Sequence, residues 1–95
     1  MAGYIIARID VTDPARYKNY TDVTPGLVEQ FGGRFIVRGG ETVTLEGPEE
    51  SGRLVVIEFA SLDRAKAFYR SPEYQAAKSL REGAASAQFI AVAGV

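Results

Sequence analysis

Apolar and polar positions change period along the chain, and the changes mark out its elements. Tyr4 to Ile9 alternates at period two, with Tyr4, Ile6 and Arg8 on one face and Ile5, Ala7 and Ile9 on the other. Phe31 to Gly40 reads Phe-Gly-Gly-Arg-Phe-Ile-Val-Arg-Gly-Gly, so two glycine pairs bracket a second strand in which Arg34, Ile36 and Arg38 alternate with Phe35 and Val37. The Gly39-Gly40 pair predicts a bulge or bend, after which Thr42 to Leu45 resumes strand-like alternation ahead of a polar loop. Arg53 to Ala60 sets Leu54, Val56 and Glu58 against Val55, Ile57 and Phe59, and its near-continuous apolar run predicts cover on both faces. Ala87 to Ala93 is the last strand, with Gln88, Ile90 and Val92 opposed to Phe89 and Ala91.

Between the strands the apolar period lengthens to about 3.6. Asp13-Pro14 opens a helix, because an aspartate accepts from free first-turn amides and a proline in the first turn gives up an N–H that would have no partner. Tyr17, Tyr20, Leu27 and Phe31 form its inner side, and Pro25-Gly26 predicts a kink or a division into Pro14–Val23 and Pro25–Phe31. Gly32-Gly33 ends it. Ser61 caps a helix from Leu62 to Arg70, and Ser71-Pro72-Glu73 restarts one through Tyr74, Ala77 and Leu80, with Gly83 as its stop.

The order strand, helix, strand, strand, helix, strand is that of an α+β ferredoxin-like sandwich: a four-stranded antiparallel sheet in the order 4-1-3-2, with both helices on one face. Residues 1–95 then form a single domain. The helix-covered face takes Ile5, Ala7, Ile9, Phe35, Val37, Val55, Ile57 and Phe59. The opposite face carries Tyr4, Ile6, Arg8, Ile36, Leu54 and Val56, too apolar to stay in water, which predicts a homodimer through that face.

Composition narrows the chemistry. A chain of 95 residues buries only about 60–65% of its unfolded surface when it folds alone, so a second copy would add needed core. The net charge of −1, from 11 basic and 12 acidic residues, predicts neither nucleic acid nor an anionic membrane as a partner. There is no Cys, His or Trp, which removes thiol chemistry and the commonest ligand for zinc and haem; no metal and no cofactor is expected. No apolar run approaches the roughly 20 residues of a membrane helix, and Met1 to Arg8 lacks the form of a signal peptide, so a cytoplasmic location is expected.

Several blocks in order resemble a bacterial domain family of unknown function, number 1330, within the dimeric α/β barrel superfamily. They are Tyr4-Ile5-Ile6-Ala7 with Asp13-Pro14, Gly32-Gly33-Arg34-Phe35 leading into Arg38-Gly39-Gly40, Val56-Ile57-Glu58-Phe59, and Phe68-Tyr69 with Ser71-Pro72-Glu73-Tyr74. The resemblance implies a homodimer whose sheets face each other, with a cavity between sheet and helices. It implies no set reaction, since the wider superfamily includes monooxygenases, isomerases and decarboxylase-like proteins.

The charges that fall inside strands are the candidates for chemistry. By parity Arg8, Arg34, Arg38 and Glu58 share the open face, with Glu58 near Tyr4 and Arg34, and with Arg8 and Arg38 flanking Leu54. Two arginines beside an apolar floor suit a carboxylate, which a guanidinium meets in a bidentate fork. Tyr17 is the candidate rim contact from the first helix, and Arg81 could reach over the same opening. Three readings follow. In one, the domain binds a small carboxylate-bearing molecule through Arg8, Arg38, Arg34, Tyr4, Glu58 and Tyr17. In another, it is a cofactor-independent isomerase or monooxygenase with Glu58 as base and a tyrosine such as Tyr17 as acid. In the third, the charges only register a dimer.

Overall fold

A computed structural model describes residues 1–95. Strands β1 (Gly3–Val11), β2 (Arg34–Arg38), β3 (Arg53–Phe59) and β4 (Ala85–Ala93) form one sheet, with helices α1 (Pro14–Gln30), α2 (Leu62–Arg70) and α3 (Pro72–Ser79) between them. The sheet order is β2-β3-β1-β4, and every paired strand is antiparallel. This is the ferredoxin-like α+β arrangement read from the sequence.

The helices begin where side chains can satisfy their free amides. Asp13 Oδ1 accepts from the Arg16 N–H at 3.2 Å, and Ser61 Oγ accepts from the Arg64 N–H at 3.1 Å. Ser71 joins α2 to α3 by serving both: its hydroxyl donates to the Phe68 carbonyl at 2.7 Å and accepts from the Tyr74 N–H at 3.1 Å. Pro72 then occupies the first turn of α3, where no amide is lost.

One face of the sheet makes the core. Ile5, Ala7, Ile9, Val55, Ile57 and Phe59 are buried beneath Tyr17, Tyr20 and Val28 of α1, Ala65 and Phe68 of α2 and Tyr74 of α3. Phe68 is its aromatic centre, with ring centroids 5.8 Å from Phe31, 5.2 Å from Phe59 and 4.9 Å from Tyr74.

Three expectations are corrected. Helix α1 runs through Pro25 as one element; its inner residues are anchored on both sides of the proline, by Tyr20 and Thr24 before it and Val28 after it, and that packing outweighs the missing hydrogen bond. Thr42 to Leu45 forms no strand, because no neighbouring strand is in place to pair with it. The third concerns β2. Arg34 pairs with Glu58 and Phe35 with Ile57, but Val37 pairs with Val56 and Arg38 with Val55, so Ile36 is the extra residue of a β-bulge. Beyond it the faces exchange. Val37 leaves the helix-covered side and is 41% exposed, whereas Arg38 joins that side.

No helix is long and apolar enough to cross a membrane.

A candidate anion-binding cleft

The bulge determines which charges meet. On the open face the Arg34 Nε lies 2.8 Å from Glu58 Oε1, and the Tyr4 hydroxyl donates to Glu58 Oε2 at 3.3 Å, as the cross-strand register requires. Arg8, opposite Leu54, turns to Glu50 of the β2–β3 connection, with Nε and Oε1 3.0 Å apart. Arg34, Arg8, Tyr4 and Glu58 are therefore on the expected face, and their charges are paired. Arg38 is not with them: the expected convergence of Arg8 and Arg38 is replaced by a separation across the sheet, because strand parity is reset at Ile36.

On the helix-covered face Arg38 meets Arg53. Arg53 pairs with Ile9 and lies two residues from Val55, so period two places it on the side that Arg38 reaches past the bulge. Both line an opening of about 530 Å³ between α1 and the end of the sheet, together with Tyr17, Lys18 and Thr21. The same Arg38, Arg53, Tyr17 and Thr21 also line an inner cavity of about 30 Å³, whose deeper wall includes Tyr20, Tyr74 and Phe89. No carboxylate lines either space.

The two arginines differ from those of the open face in having no acidic partner. Arg38 stacks over Phe35, its guanidinium carbon 4.4 Å from the ring centroid. Arg53 lies against the backbone of Gly39, and its Nε is buried without a hydrogen-bond partner. Gly39 has φ +71°, a left-handed conformation that glycine adopts without strain, and a side chain there would run into the Arg53 guanidinium. Lys18, also at the mouth, is engaged by Asp22 at 3.1 Å.

A buried polar chain continues inward. The Tyr20 and Tyr74 hydroxyls are 2.7 Å apart, and Arg81 Nη2 donates to the Tyr74 oxygen at 3.4 Å. Arg81 is only 8% exposed, and its guanidinium lies over the rings of Tyr20 and Phe89 at 5.2 and 4.9 Å. Burial raises the Tyr17 hydroxyl above its ordinary pKa, while Arg53 and Arg81 pull it the other way. Tyr20 is pushed up further, by burial first and then by Tyr74. Both phenols are thus neutral hydrogen-bond donors at ordinary pH.

Tyr17, a buried residue, lines both the outer opening and the inner cavity. Glu58 faces away from the cleft and is bonded to Arg34 and Tyr4, so the sheet separates it from anything held between Arg38 and Tyr17. Arg53 is the residue that the sequence reading passed over. Its signal was its parity with Val55, Ile57 and Phe59.

Sheet order, helix placement and cleft define a ferredoxin-like α+β protein with a pocket between its layers. Residues 2–95 match the family described as Domain of unknown function (DUF1330), and the chain belongs to that family. Among solved structures it is similar to a protein of unknown function from Rhodopseudomonas palustris, with 19% identity, a TM-score of 0.74, and coverage of 99% of this chain and 82% of the other. It is also similar to SnoaB, a cofactor-independent oxygenase from Streptomyces nogalater, at 11% identity, TM-score 0.70, and coverage of 99% and 93%. A dimeric protein of unknown function and ferredoxin-like fold from Bacteroides fragilis matches at 15% identity, TM-score 0.60, and coverage of 98% and 96%. At these identities the likeness is one of fold. No curated protein matches the chain.

Proposed function

We propose that the protein binds a small anionic molecule, a carboxylate on an apolar body, in the cleft between α1 and the sheet. The observation that carries this reading is the pair Arg38 and Arg53 at the mouth of a cleft that no carboxylate lines, with the Arg53 Nε buried and unpartnered. A buried N–H without an acceptor is costly, and an incoming carboxylate would supply the acceptor along with a counter-charge for the exposed Arg38 and the half-buried Arg53. Arg38 and Arg53 take the anionic end and Tyr17 contacts the ligand where the opening narrows; the inner space of about 30 Å³ admits little more than a water, so the apolar body lies in the outer opening beside Val11 and Pro14.

Titration calorimetry with benzoate, hexanoate and the neutral benzamide tests this. A carboxylate is expected to bind, and the amide of the same shape to bind at least ~10-fold more weakly, since hydrogen bonds to charged groups contribute about 1.5–3 kcal/mol each. Arg38→Ala with Arg53→Ala should abolish carboxylate binding. Undiminished binding by the double variant, or equal affinity for benzamide, would sink the proposal.

A homodimer through the open sheet face is the second part of the reading. It is supported by the apolar residues that face leaves accessible, including Val37, Ile90 at 46% and Val92 at 41% exposure, and by the dimeric state of the ferredoxin-like relative from Bacteroides fragilis. Sedimentation velocity is expected to give a dimer that Ile90→Lys dissociates. A monomer at all concentrations would refute it.

A further inference from the structure

The outer opening of the cleft has two walls, and each carries positive charge. One wall is a single face of α1: Pro14, Tyr17, Lys18 and Thr21 follow the i, i+3, i+4, i+7 spacing that stacks side chains on one side of a helix, and all four line the opening. The other is the end of the sheet, which supplies Arg38 from β2 and Arg53 from β3. Lys18 and the arginine pair therefore line one space from different layers.

This lining is too polar for a ligand with only one charged end. Three of its side chains are cationic and two carry hydroxyls, against Val11 and Pro14 as apolar members. At about 530 Å³ the space is within the roughly 300–1,000 Å³ usual for small-molecule sites, which are more often walled by apolar side chains. A monocarboxylate held by Arg38 and Arg53 would leave its apolar end among Lys18 and Thr21, and a second anionic group at that end removes the mismatch.

Lys18 is held in a way that leaves it able to bind. Its ammonium has three N–H groups, and Asp22 accepts through Oδ1 and Oδ2, both at 3.1 Å. The pair is an exposed contact one helical turn apart, which restrains a side chain only weakly, and Asp22 itself does not line the opening. Three cations less this one aspartate leave two positive charges, the number a dicarboxylate neutralises.

We infer that the ligand of this cleft is a dicarboxylate, with one carboxylate on Arg38 and Arg53 and the other on Lys18. The inference rests on the carboxylate-binding reading above and narrows it to a class. Titration calorimetry at low salt with succinate, glutarate and adipate, each against the monocarboxylate of the same chain length, tests it. In at least one pair the diacid is expected to bind ~3- to 5-fold tighter, the size of a well-placed but solvent-accessible charge pair, and added salt should narrow the gap. Lys18→Ala should erase that preference and Asp22→Asn, which releases Lys18, should widen it. Lys66→Ala removes the same charge from α2, outside the opening, and should leave the ratio as in the parent. Monocarboxylates that bind as tightly as their diacids in every pair, or a ratio untouched by Lys18→Ala, overturn the dicarboxylate and leave the carboxylate site standing. A ratio lowered as much by Lys66→Ala as by Lys18→Ala traces the preference to net charge and also overturns it. A protein that binds none of these acids removes both readings.

Discussion

The Tyr20–Tyr74 contact predicts an asymmetric double-mutant cycle. Both hydroxyls are buried and 2.7 Å apart, and only Tyr74 also accepts from Arg81. Tyr20→Phe keeps the ring and leaves Tyr74 its Arg81 donor, so the loss is about one hydrogen bond, ~1 kcal/mol. Tyr74→Phe leaves the Tyr20 hydroxyl without its partner and takes from Arg81 its side-chain acceptor in an interior where the Arg81 Nε already has none. Stranding a phenol and part of a buried cation costs about 2–3 kcal/mol. In the double variant the stranded phenol is absent, so the total should fall short of the sum by ~1 kcal/mol. Urea unfolding of the four proteins measures this directly; with a slope of about 1–1.5 kcal/mol per molar, Tyr74→Phe should lower the midpoint by roughly 2 M and Tyr20→Phe by less than 1 M. Additive losses, or a larger loss for Tyr20→Phe, would refute the argument that Tyr74 links the phenol to the buried cation.

Alkaline pH should unfold the protein through its tyrosines. Tyr17 and Tyr20 have pKa values raised above the ordinary 10.0, mainly by burial, so each favours the folded state fully below pH 10 and loses that contribution as pH rises further, by up to ~1.4 kcal/mol per pH unit per tyrosine. Tyrosinate absorbance should lag the unfolded-peptide curve and then rise with unfolding, and Tyr20→Phe should flatten the pH dependence; an ordinary titration in the native state would contradict this. Pro25→Ala is expected to stabilise the protein by about 1–2 kcal/mol in thermal or urea unfolding, since it restores a donor for the Thr21 carbonyl inside α1; a loss of stability would show that the proline suits a local geometry. Gly39→Ala should cost ~1–2 kcal/mol from its left-handed backbone and displace the Arg53 guanidinium, and the proposed binding then expects a lower benzoate affinity; unaltered binding would argue against the role given to Arg53.

Local rules carried most of the fold. Asp13-Pro14, Ser61 and Ser71-Pro72 mark helix starts through side-chain chemistry that acts within one turn, and the helices begin there. Period two placed Tyr4, Arg34 and Glu58 together because their register is undisturbed. The site was harder to read, because Arg38 depends on one unpaired residue. Phe-Ile-Val contains no glycine or other local sign of a bulge, and the glycines that suggested one come after it. Thr42–Leu45 has the composition of a strand and lacks the neighbour that would make it one. Pro25 gave the opposite error, a local break overruled by packing on both sides.

The bulge at Ile36 gives one short strand two allegiances. Arg34, before it, belongs to the face with Glu58 and Tyr4, and Arg38, after it, belongs to the cleft with Arg53. Substitution along β2 can tune either surface, but only a change in chain length can transfer a residue between them. Deleting Ile36 would return Arg38 to the side of Arg8 and turn Val37 inward, disarming the cleft while every arginine stayed in the sequence. In this strand insertions and deletions act as frameshifts of geometry, so relatives that differ here by one residue in length would differ in the charges that line the cleft before they differed in fold.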